Sequence, residues 1–256
     1  MEAYTGFATV YDLFMDNIPY NDWANYLEKI FNMYGLDKGL LLELGCGTGS
    51  MTRRMAEKGY DMIGIDASED MLAIARERNF DYNNSILYLC QDMRQFELYG
   101  TVSGIYSVCD TINYLVTEED LIKTFTLANI YLDRNGIFIF DLDTPYAYEK
   151  IIGDRTIAED RDEASFIWEN TYYKDEMINE INLSLFIHED NNMYKKYKEI
   201  HHRRAYSLER IRELLEEAGM EWVAAYDTLT FDKPRDDSER VYIVAREKEQ
   251  VNKHYI

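Results

Sequence analysis

Residues 41–49 read LLELGCGTG: a short apolar run that contains one acid, Glu43, followed by glycine at positions 45, 47 and 49. The apolar run predicts a buried strand, and residues 50–58 predict a helix that ends at Gly59. Glycine has no Cβ, so the backbone of the loop between them can turn sharply and lie directly against a ligand. The stretch therefore predicts a strand–loop–helix unit that binds a nucleotide-like cofactor.

The glycine spacing leaves two cofactor classes open. A dinucleotide-binding loop follows G-x-G-x-x-G, which would place its third glycine at position 50, where this chain has Ser50. The other pattern is the E-x-G-x-G-x-G loop of enzymes that use S-adenosylmethionine (SAM), a cofactor without phosphate whose amino acid moiety an acid and backbone groups can hold. A bare turn is the third interpretation, but each glycine would cost up to about 1 kcal/mol of chain entropy.

A second strand is predicted at residues 60–66 and ends in Asp66. An acid at this position can accept hydrogen bonds from both ribose hydroxyls in either cofactor class. Asp66 therefore indicates an adenosine-containing cofactor but does not discriminate between the two classes. Its alternative role is that of a turn or helix-start residue. Ser68 is a suitable N-cap for the helix that follows.

Five motifs together resemble those of class I SAM-dependent methyltransferases. ELGCGTG at 43–49 and GIDAS at 64–68, followed by Met71, resemble the first two. LYLCQDM at 87–93 is similar to the third-strand motif, YSVCDTINY at 106–114 to the fourth, at the mouth of the active site, and GIFIFD at 136–141 to the fifth strand. The resemblance covers about residues 1–145 and 205–247.

The resemblance implies SAM as cofactor and S-adenosyl-L-homocysteine as product. It implies that Glu43 orients the loop or the SAM amino group, and that Asp92 and Met93 hold the adenine. An aromatic N-terminal segment with Tyr20 resembles the glycine and aminosugar N-methyltransferases, in which such residues close over SAM; a helix packed on the core is the alternative. The expected cofactor-binding residues are Tyr11, Trp23, Glu43, Gly45, Cys46, Gly47, Gly49, Asp66, Ala67, Met71, Asp92, Met93 and Cys109.

The order of predicted elements separates a core from an insertion. Strands alternate with helices up to residue 141, and a last helix precedes strands at 222–229 and 240–246, which predicts an α/β, Rossmann-like, doubly wound seven-stranded sheet with an antiparallel last strand. Residues 164–174, 177–188 and 193–204 predict a three-stranded antiparallel lid. We expect a SAM-binding core at 1–145 and 205–248, and a lid at 146–204.

Candidate catalytic residues lie near the expected methyl position. Methyl transfer is an in-line displacement, so the protein mainly aligns the nucleophile, and an amine must attack unprotonated. The candidates are Asp110, Tyr114 and Tyr11. The alternative role of Asp110 is that of a turn cap, and the alternative role of the two tyrosines is aromatic packing in the core. His201 and His202 alternate on the third lid strand, so only one of them can face the cleft. The four histidines show no metal-ligand spacing, and no metal is expected.

The charge and cysteine composition indicates which binding partners and which cell compartment are expected. With 27 basic and 48 acidic residues, the net charge of −21 argues against an RNA substrate and against anionic membranes. Three separated cysteines do not form a disulfide framework, which suits the cytoplasm, and no apolar run of membrane-spanning length occurs.

A small-molecule methyl acceptor is therefore expected, with an amine slightly favoured. Three alternatives stay open. The basic cluster at residues 195–204 could dock RNA or protein for methylation. The chain could be a non-catalytic SAM-binding module, or it could use a nicotinamide cofactor.

Overall fold

The computed structural model describes residues 7–79, 86–189, 193–248 and 253. Within these residues the six α-helices are α1 (Tyr11–Phe14), α2 (Tyr20–Met33), α3 (Ser50–Glu57), α4 (Glu69–Asn79), α5 (Glu118–Tyr131) and α6 (Leu208–Glu217). The strands are β1 (Leu40–Leu44), β2 (Asp61–Asp66), β3 (Leu87–Cys90), β4 (Val102–Ser107), β5 (Leu132–Asp143), β6 (Thr156–Asp160), β7 (Ala164–Tyr173), β8 (Ile178–Glu189), β9 (Met193–Arg204), β10 (Glu221–Asp227) and β11 (Arg240–Arg246).

Seven strands form the central sheet in the order β10-β11-β5-β4-β1-β2-β3. β1 pairs in parallel with both β2 and β4, so the direction of strand addition reverses beside β1. β11 is antiparallel to β5, and β10 is antiparallel to β11. The predicted seven-stranded sheet with an antiparallel last strand is therefore confirmed. Open α/β sheets bind ligands at the carboxyl ends of strands where the order reverses.

The apolar residues of β1 pack on both faces of the sheet because successive side chains point in opposite directions. Leu41 belongs to the cluster that includes residues of α2 and α3. Leu42 and Leu44 belong to the cluster that includes residues of α5 and α6. Helices thus cover both faces of the sheet, which explains the nearly continuous apolar run of this strand.

Side-chain caps begin three of the helical segments, as their sequences predict. Ser68 accepts the Met71 amide at 3.3 Å, and Thr117 accepts the Asp120 amide at 3.2 Å. The hydroxyl of Ser207 caps α6 in the same way. β10 ends at Asp227, short of the predicted Leu229, because Leu229 has a φ of +54° and leaves the extended conformation.

The insertion is a four-stranded antiparallel sheet in the order β6-β7-β8-β9, which we call the cover sheet. The expectation of three strands was wrong, because β6 precedes the three predicted ones and pairs with β7. The sequence of Thr156–Asp160 does not predict a strand, because four of its five residues are exposed and it lacks apolar alternation. The turn predicted at residues 191–192 lies outside the described residues.

The N-terminal segment packs on the cover sheet. Phe7, Val10 and Phe14 form one apolar cluster with residues of β7 and β8, among them Phe166 and Leu185. The Arg161 guanidinium adds an ion pair to Asp16 at 2.7 Å. These contacts hold α1 and the cover sheet together above the carboxyl edge of the central sheet. No helix in the described part of the chain is long and apolar enough to cross a membrane.

Candidate active site

A cavity of about 770 Å³ lies between the carboxyl ends of β1, β2, β3 and β4, the N-terminal segment and the cover sheet. It brings together most of the site residues that the sequence predicts. Those that line it are Tyr11, Glu43, Gly45, Cys46, Gly47, Asp66, Ala67, Met71, Asp92, Met93, Cys109, Asp110 and Tyr114.

Two predicted cofactor residues, Trp23 and Gly49, are not among the residues that line the cavity. Trp23 is buried in the core, and the Arg240 guanidinium lies 5.5 Å from its ring centroid. Gly49 is the N-cap of α3, where a Cβ would lie 2.3 Å from the Tyr88 hydroxyl oxygen.

The glycine loop needs its glycines for different reasons. Gly45 has a φ of +72°, and a Cβ there would lie 2.2 Å from Cγ2 of Thr111. Gly47 has a φ of +53°, but a Cβ there would meet nothing within 4 Å. Because Gly47 lines the cavity, its bare backbone forms a surface that a ligand can approach closely.

Asp66 joins the end of β2 to the glycine loop. Its Oδ2 accepts a hydrogen bond from the Gly47 amide at 2.8 Å, and its Oδ1 accepts one from the Ser68 amide at 2.8 Å. Burial raises the pKa of this carboxyl group above its ordinary value. The two amide contacts hold the carboxylate at the cavity wall, and each oxygen has a second lone pair that can accept from a ligand hydroxyl.

Glu43 lies below the loop and is 3% exposed. Its Oε2 accepts hydrogen bonds from the Thr52 hydroxyl and, at 2.8 Å, from the Tyr106 hydroxyl. Burial raises the pKa of this carboxyl group to about 8. A cationic group in the cavity would favour its charged form.

Asp92 lies on the same wall, beyond β3. Arg94 donates through Nε to both carboxylate oxygens, at 2.9 and 3.0 Å, and these hydrogen bonds lower the pKa of Asp92. The same guanidinium reaches Asp120 at 3.3 Å. Asp92 therefore stays ionised, while Met93, Ala67 and Met71 supply the apolar surface around it.

Asp110 sits in a buried network of charges. The Arg203 guanidinium of β9 forms an ion pair with its Oδ2, and Nη2 of Arg240 donates to its Oδ1 at 2.8 Å. Arg240 also contacts Asp143 at 3.0 Å and Asp141 at 3.3 Å. Asp110 thus connects the cover sheet to the central sheet through two guanidinium groups.

The backbone at Asp110 is strained in a way that the network explains. Cys109 and Asp110 both have positive φ values, 63° and 51°, which non-glycine residues seldom adopt. Asp141 accepts both of their amides, at 3.1 and 2.8 Å. Burial raises the pKa of Asp141 to about 7. The turn therefore depends on an acid that the sequence analysis did not select, and its only signal there was an acid at the end of an apolar strand.

Tyr114 and residues of the cover sheet form the other end of the cavity. Arg203 donates to the Tyr114 hydroxyl at 3.0 Å, and its guanidinium lies 4.8 Å from the Tyr114 ring and 5.4 Å from the Trp168 ring. The His201 ring meets the edge of Tyr114 at 5.9 Å. His202 is exposed and contacts Glu180, so one histidine of the pair faces the cleft, as the alternation predicts.

Asp12 ties the N-terminal segment to the glycine loop. Its Oδ1 accepts from the Thr48 hydroxyl at 2.9 Å and from the Ser50 hydroxyl at 3.2 Å. Its Oδ2 pairs with Arg78 of α4 at 2.6 Å. This contact keeps Tyr11 over the cavity, and the sequence analysis gave no indication of it.

The charges of the cavity wall discriminate between cofactor classes. Glu43, Asp66 and Asp92 line it, and Arg94 is already engaged by Asp92. A pyrophosphate would be repelled by the ionised Asp92, whereas a sulfonium or ammonium group would be attracted and would favour the charged form of Glu43. The open backbone at Gly47 and the acids around it therefore fit SAM better than a dinucleotide.

Comparisons with known proteins agree with this geometry. A model described as a methyltransferase domain matches residues 41–136. The chain is 32% identical to the putative methyltransferase YqeM of Bacillus subtilis (strain 168), over 97% of this chain and 98% of that protein. The chain belongs to the class I SAM-dependent methyltransferases. A SAM-dependent methyltransferase from Clostridium acetobutylicum has the same fold, with a TM-score of 0.85 at 25% identity over 97% of this chain and 100% of that one.

The relatives of this methyltransferase include aminosugar enzymes. It is 28% identical to a dTDP-3-amino-3,4,6-trideoxy-alpha-D-glucopyranose N,N-dimethyltransferase of Streptomyces venezuelae, over 60% of this chain and 62% of that protein. Family membership confirms SAM as the cofactor and S-adenosyl-L-homocysteine as its usual product. It also rules out the nicotinamide alternative.

Proposed function

We propose that this methyltransferase transfers the SAM methyl group to a small-molecule acceptor, with an amine favoured. The observation that carries the proposal is the cavity of about 770 Å³, which the N-terminal segment and the cover sheet both line. Small-molecule sites occupy roughly 300–1,000 Å³. A cavity of this size accommodates a cofactor and a compact acceptor, and its walls come from elements that lie above the sheet edge.

The proposed cofactor residues follow the cavity wall. SAM supplies an electrophilic methyl group on sulfur. The loop backbone at Gly45 and Gly47 would receive the cofactor, Glu43 would hold the amino group, Asp66 the ribose, and Asp92 with Met93 the adenine. Residues 1–145 and 205–248 would form the SAM-binding core, and residues 146–204 the lid that shapes the acceptor pocket.

An amine is favoured by the chemistry of one end of the cavity. We call the end that Tyr114 and the cover sheet form the acceptor end. Tyr11, Tyr114 and Trp168 line it, and aromatic faces attract cations. The cationic Arg203 and Arg240 are paired with acids, so they add little net positive charge there. The N,N-dimethyltransferase named above, a relative over part of its length, also acts at nitrogen by its name.

RNA or protein methylation is the second candidate that the sequence raised, and the position of the basic cluster argues against it. Lys195, Lys196 and Lys198 are exposed on β9. His201 and Arg203 of the same cluster instead line the cavity. The cluster therefore does not form one continuous docking patch, and the net charge of −21 would repel a phosphate backbone.

We also propose that the enzyme works in a reducing compartment such as the cytoplasm. Cys46, Cys90 and Cys109 are free thiols, and all three line the cavity. Oxidation of any of them would place a bulky polar group where the cofactor is proposed to bind.

The test uses SAM with a labelled methyl group, incubated with the enzyme and a cell extract that is then separated into small molecules, RNA and protein. We expect label in the small-molecule fraction, and less label at limiting SAM with the Asp66→Ala variant, which should bind SAM more weakly. Label in RNA or protein would overturn the proposal. SAM binding without label in any fraction, across extracts from several growth conditions, would instead support a non-catalytic SAM-binding module.

A further inference from the structure

His201 faces the acceptor end of the cavity from the cover sheet. It lies on β9 opposite Ile181 of β8 and is 5% exposed. Its ring packs against the edge of Tyr114, with 5.9 Å between centroids. The imidazole is therefore enclosed, and it lines the same cavity as the glycine loop.

Glu199, two residues earlier on the same face of β9, lies beside this imidazole. Its Oε2 is 3.2 Å from Nε2 of His201, and the Glu199 side chain is 9% exposed. The carboxylate can only accept a hydrogen bond, so Nε2 is assigned as the donor. This tautomer places the ring's lone pair on Nδ1, as a carboxylate does when it orients a catalytic histidine.

Asp110 and Tyr114, two other candidate bases at this end, are already engaged. Oδ1 of Asp110 accepts a hydrogen bond from Arg240, and its Oδ2 is ion-paired with Arg203. The Tyr114 hydroxyl accepts a hydrogen bond from Arg203. Among the described residues that line the acceptor end, His201 contributes an imidazole, the side chain that most often acts as a general base.

We infer that His201, oriented by Glu199, is the general base that removes a proton from the acceptor amine. The inference rests on the proposed function. The ammonium of the acceptor gives its proton to Nδ1 of His201, which becomes an imidazolium. The nitrogen lone pair then forms a bond to the methyl carbon as the carbon–sulfur bond breaks, and that electron pair stays on sulfur. One ammonium and one sulfonium are converted into one imidazolium, one methylated ammonium and a neutral thioether.

Charged, aromatic and apolar groups surround His201. Glu199 and Arg203 lie on its own strand, Tyr114 comes from the turn after β4, and Tyr11 comes from the N-terminal segment. On β8 its neighbours on the same face are apolar, Ile181 and Leu183. Glu199 stabilises the imidazolium that forms, whereas Arg203 is neutralised by Asp110.

The test compares His201→Asn with His202→Asn, a matched control on the exposed face of the same strand. The rate of label transfer from SAM into the small-molecule fraction of the extract is measured from pH 6 to 10. We expect His201→Asn to lower the rate at pH 7 by about 10²-fold or more. The deficit should shrink toward pH 10, where the amine loses its proton to water. His202→Asn should follow the wild type, and Glu199→Gln should lower the rate at pH 7 in the same direction.

SAM affinity, measured by calorimetry, shows whether each variant is folded. If His201→Asn loses SAM affinity, His201→Gln is used in its place. A His201 variant that binds SAM and keeps the wild-type rate and pH profile would overturn the inference while the proposed function stands. A deficit that is equal at every pH would show a structural role and would also overturn it. A wild-type enzyme that labels no small molecule would instead refute the proposed function.

Discussion

At the scale of single residues, Glu43 makes stability depend on pH. Its carboxyl group is buried, and its pKa rises from an ordinary value of 4.5 to about 8. Below the ordinary value both the folded and the unfolded chain hold the proton, and between the two values only the folded chain does. The free energy of unfolding should therefore fall as pH rises through this window, by up to about 1.4 kcal/mol per pH unit.

Glu43→Gln should remove this dependence, and urea unfolding between pH 5 and 9 without SAM is the measurement. Asp141, whose pKa is also raised, to about 7, is present in both proteins. The difference in unfolding free energy between variant and wild type therefore isolates Glu43. A difference that stays constant with pH would show that Glu43 is not protonated in the folded state.

Asp66 should control cofactor affinity. Replacing it with alanine removes the acceptor of the Gly47 amide together with the proposed acceptor for ribose. We expect SAM binding to weaken by about 1–3 kcal/mol, roughly a 5- to 150-fold rise in Kd. Calorimetry measures this, and Asp61→Ala is the control, because Asp61 is exposed at the opposite end of the same strand. An unchanged Kd would refute the ribose assignment.

At the scale of elements, the glycines of the loop should differ in what they contribute to folding stability and to SAM affinity. Gly45→Ala meets Thr111, whose hydroxyl donates to the Val108 carbonyl at 2.8 Å and cannot move away freely. We expect it to destabilise the fold by about 2 kcal/mol or more, because a strained backbone and a clash combine. Thermal unfolding measures the effect.

The matched control for that variant is Gly100→Ala, which adds a methyl group where nothing lies within 4 Å. Its stability should change by no more than about 0.5 kcal/mol. Gly47→Ala should lose some stability through backbone strain at a φ of +53°, and it should also lose SAM affinity, because Gly47 lines the cavity. Equal stability losses in Gly45→Ala and Gly100→Ala would contradict the packing argument.

The elements were largely predictable because their signals are local. The glycine loop, the caps at Ser68, Thr117 and Ser207, and the alternation in β8 each occupy a few neighbouring residues. β6 was missed because its residues are mostly exposed. Its formation depends on pairing with β7 rather than on its own pattern.

At the scale of the whole molecule, the two sheets should differ in local stability. β5 is buried along most of its length, whereas β7 and β9 expose alternate residues. Local opening should therefore need less free energy in the cover sheet than in the central sheet. Hydrogen exchange measured by mass spectrometry should show faster exchange in residues 156–204 than in β1, β4 and β5. Equal protection in both sheets would show that they open as one unit.

The site was predictable only where it is made of local motifs. Glu43 lies in β1, Asp66 ends β2 and Asp92 follows β3, and the fold brings them to one wall of the cavity. The network around Asp110 joins the turn after β4 to β9 and β11. One sequence cannot reveal which distant arginines meet which aspartate, because such pairings depend on the complete topology.

Asp110, held by one arginine from each sheet, has a consequence for building chimeric enzymes. A designer who exchanges residues 146–204 between relatives to alter acceptor choice would also exchange Arg203, while Asp110 and Arg240 remain with the recipient. A donor segment without a cation at that position would leave the buried Asp110 carboxylate half-neutralised at the wall of the cavity. When segments are exchanged between relatives, the residues at positions 110, 203 and 240 should therefore be exchanged together.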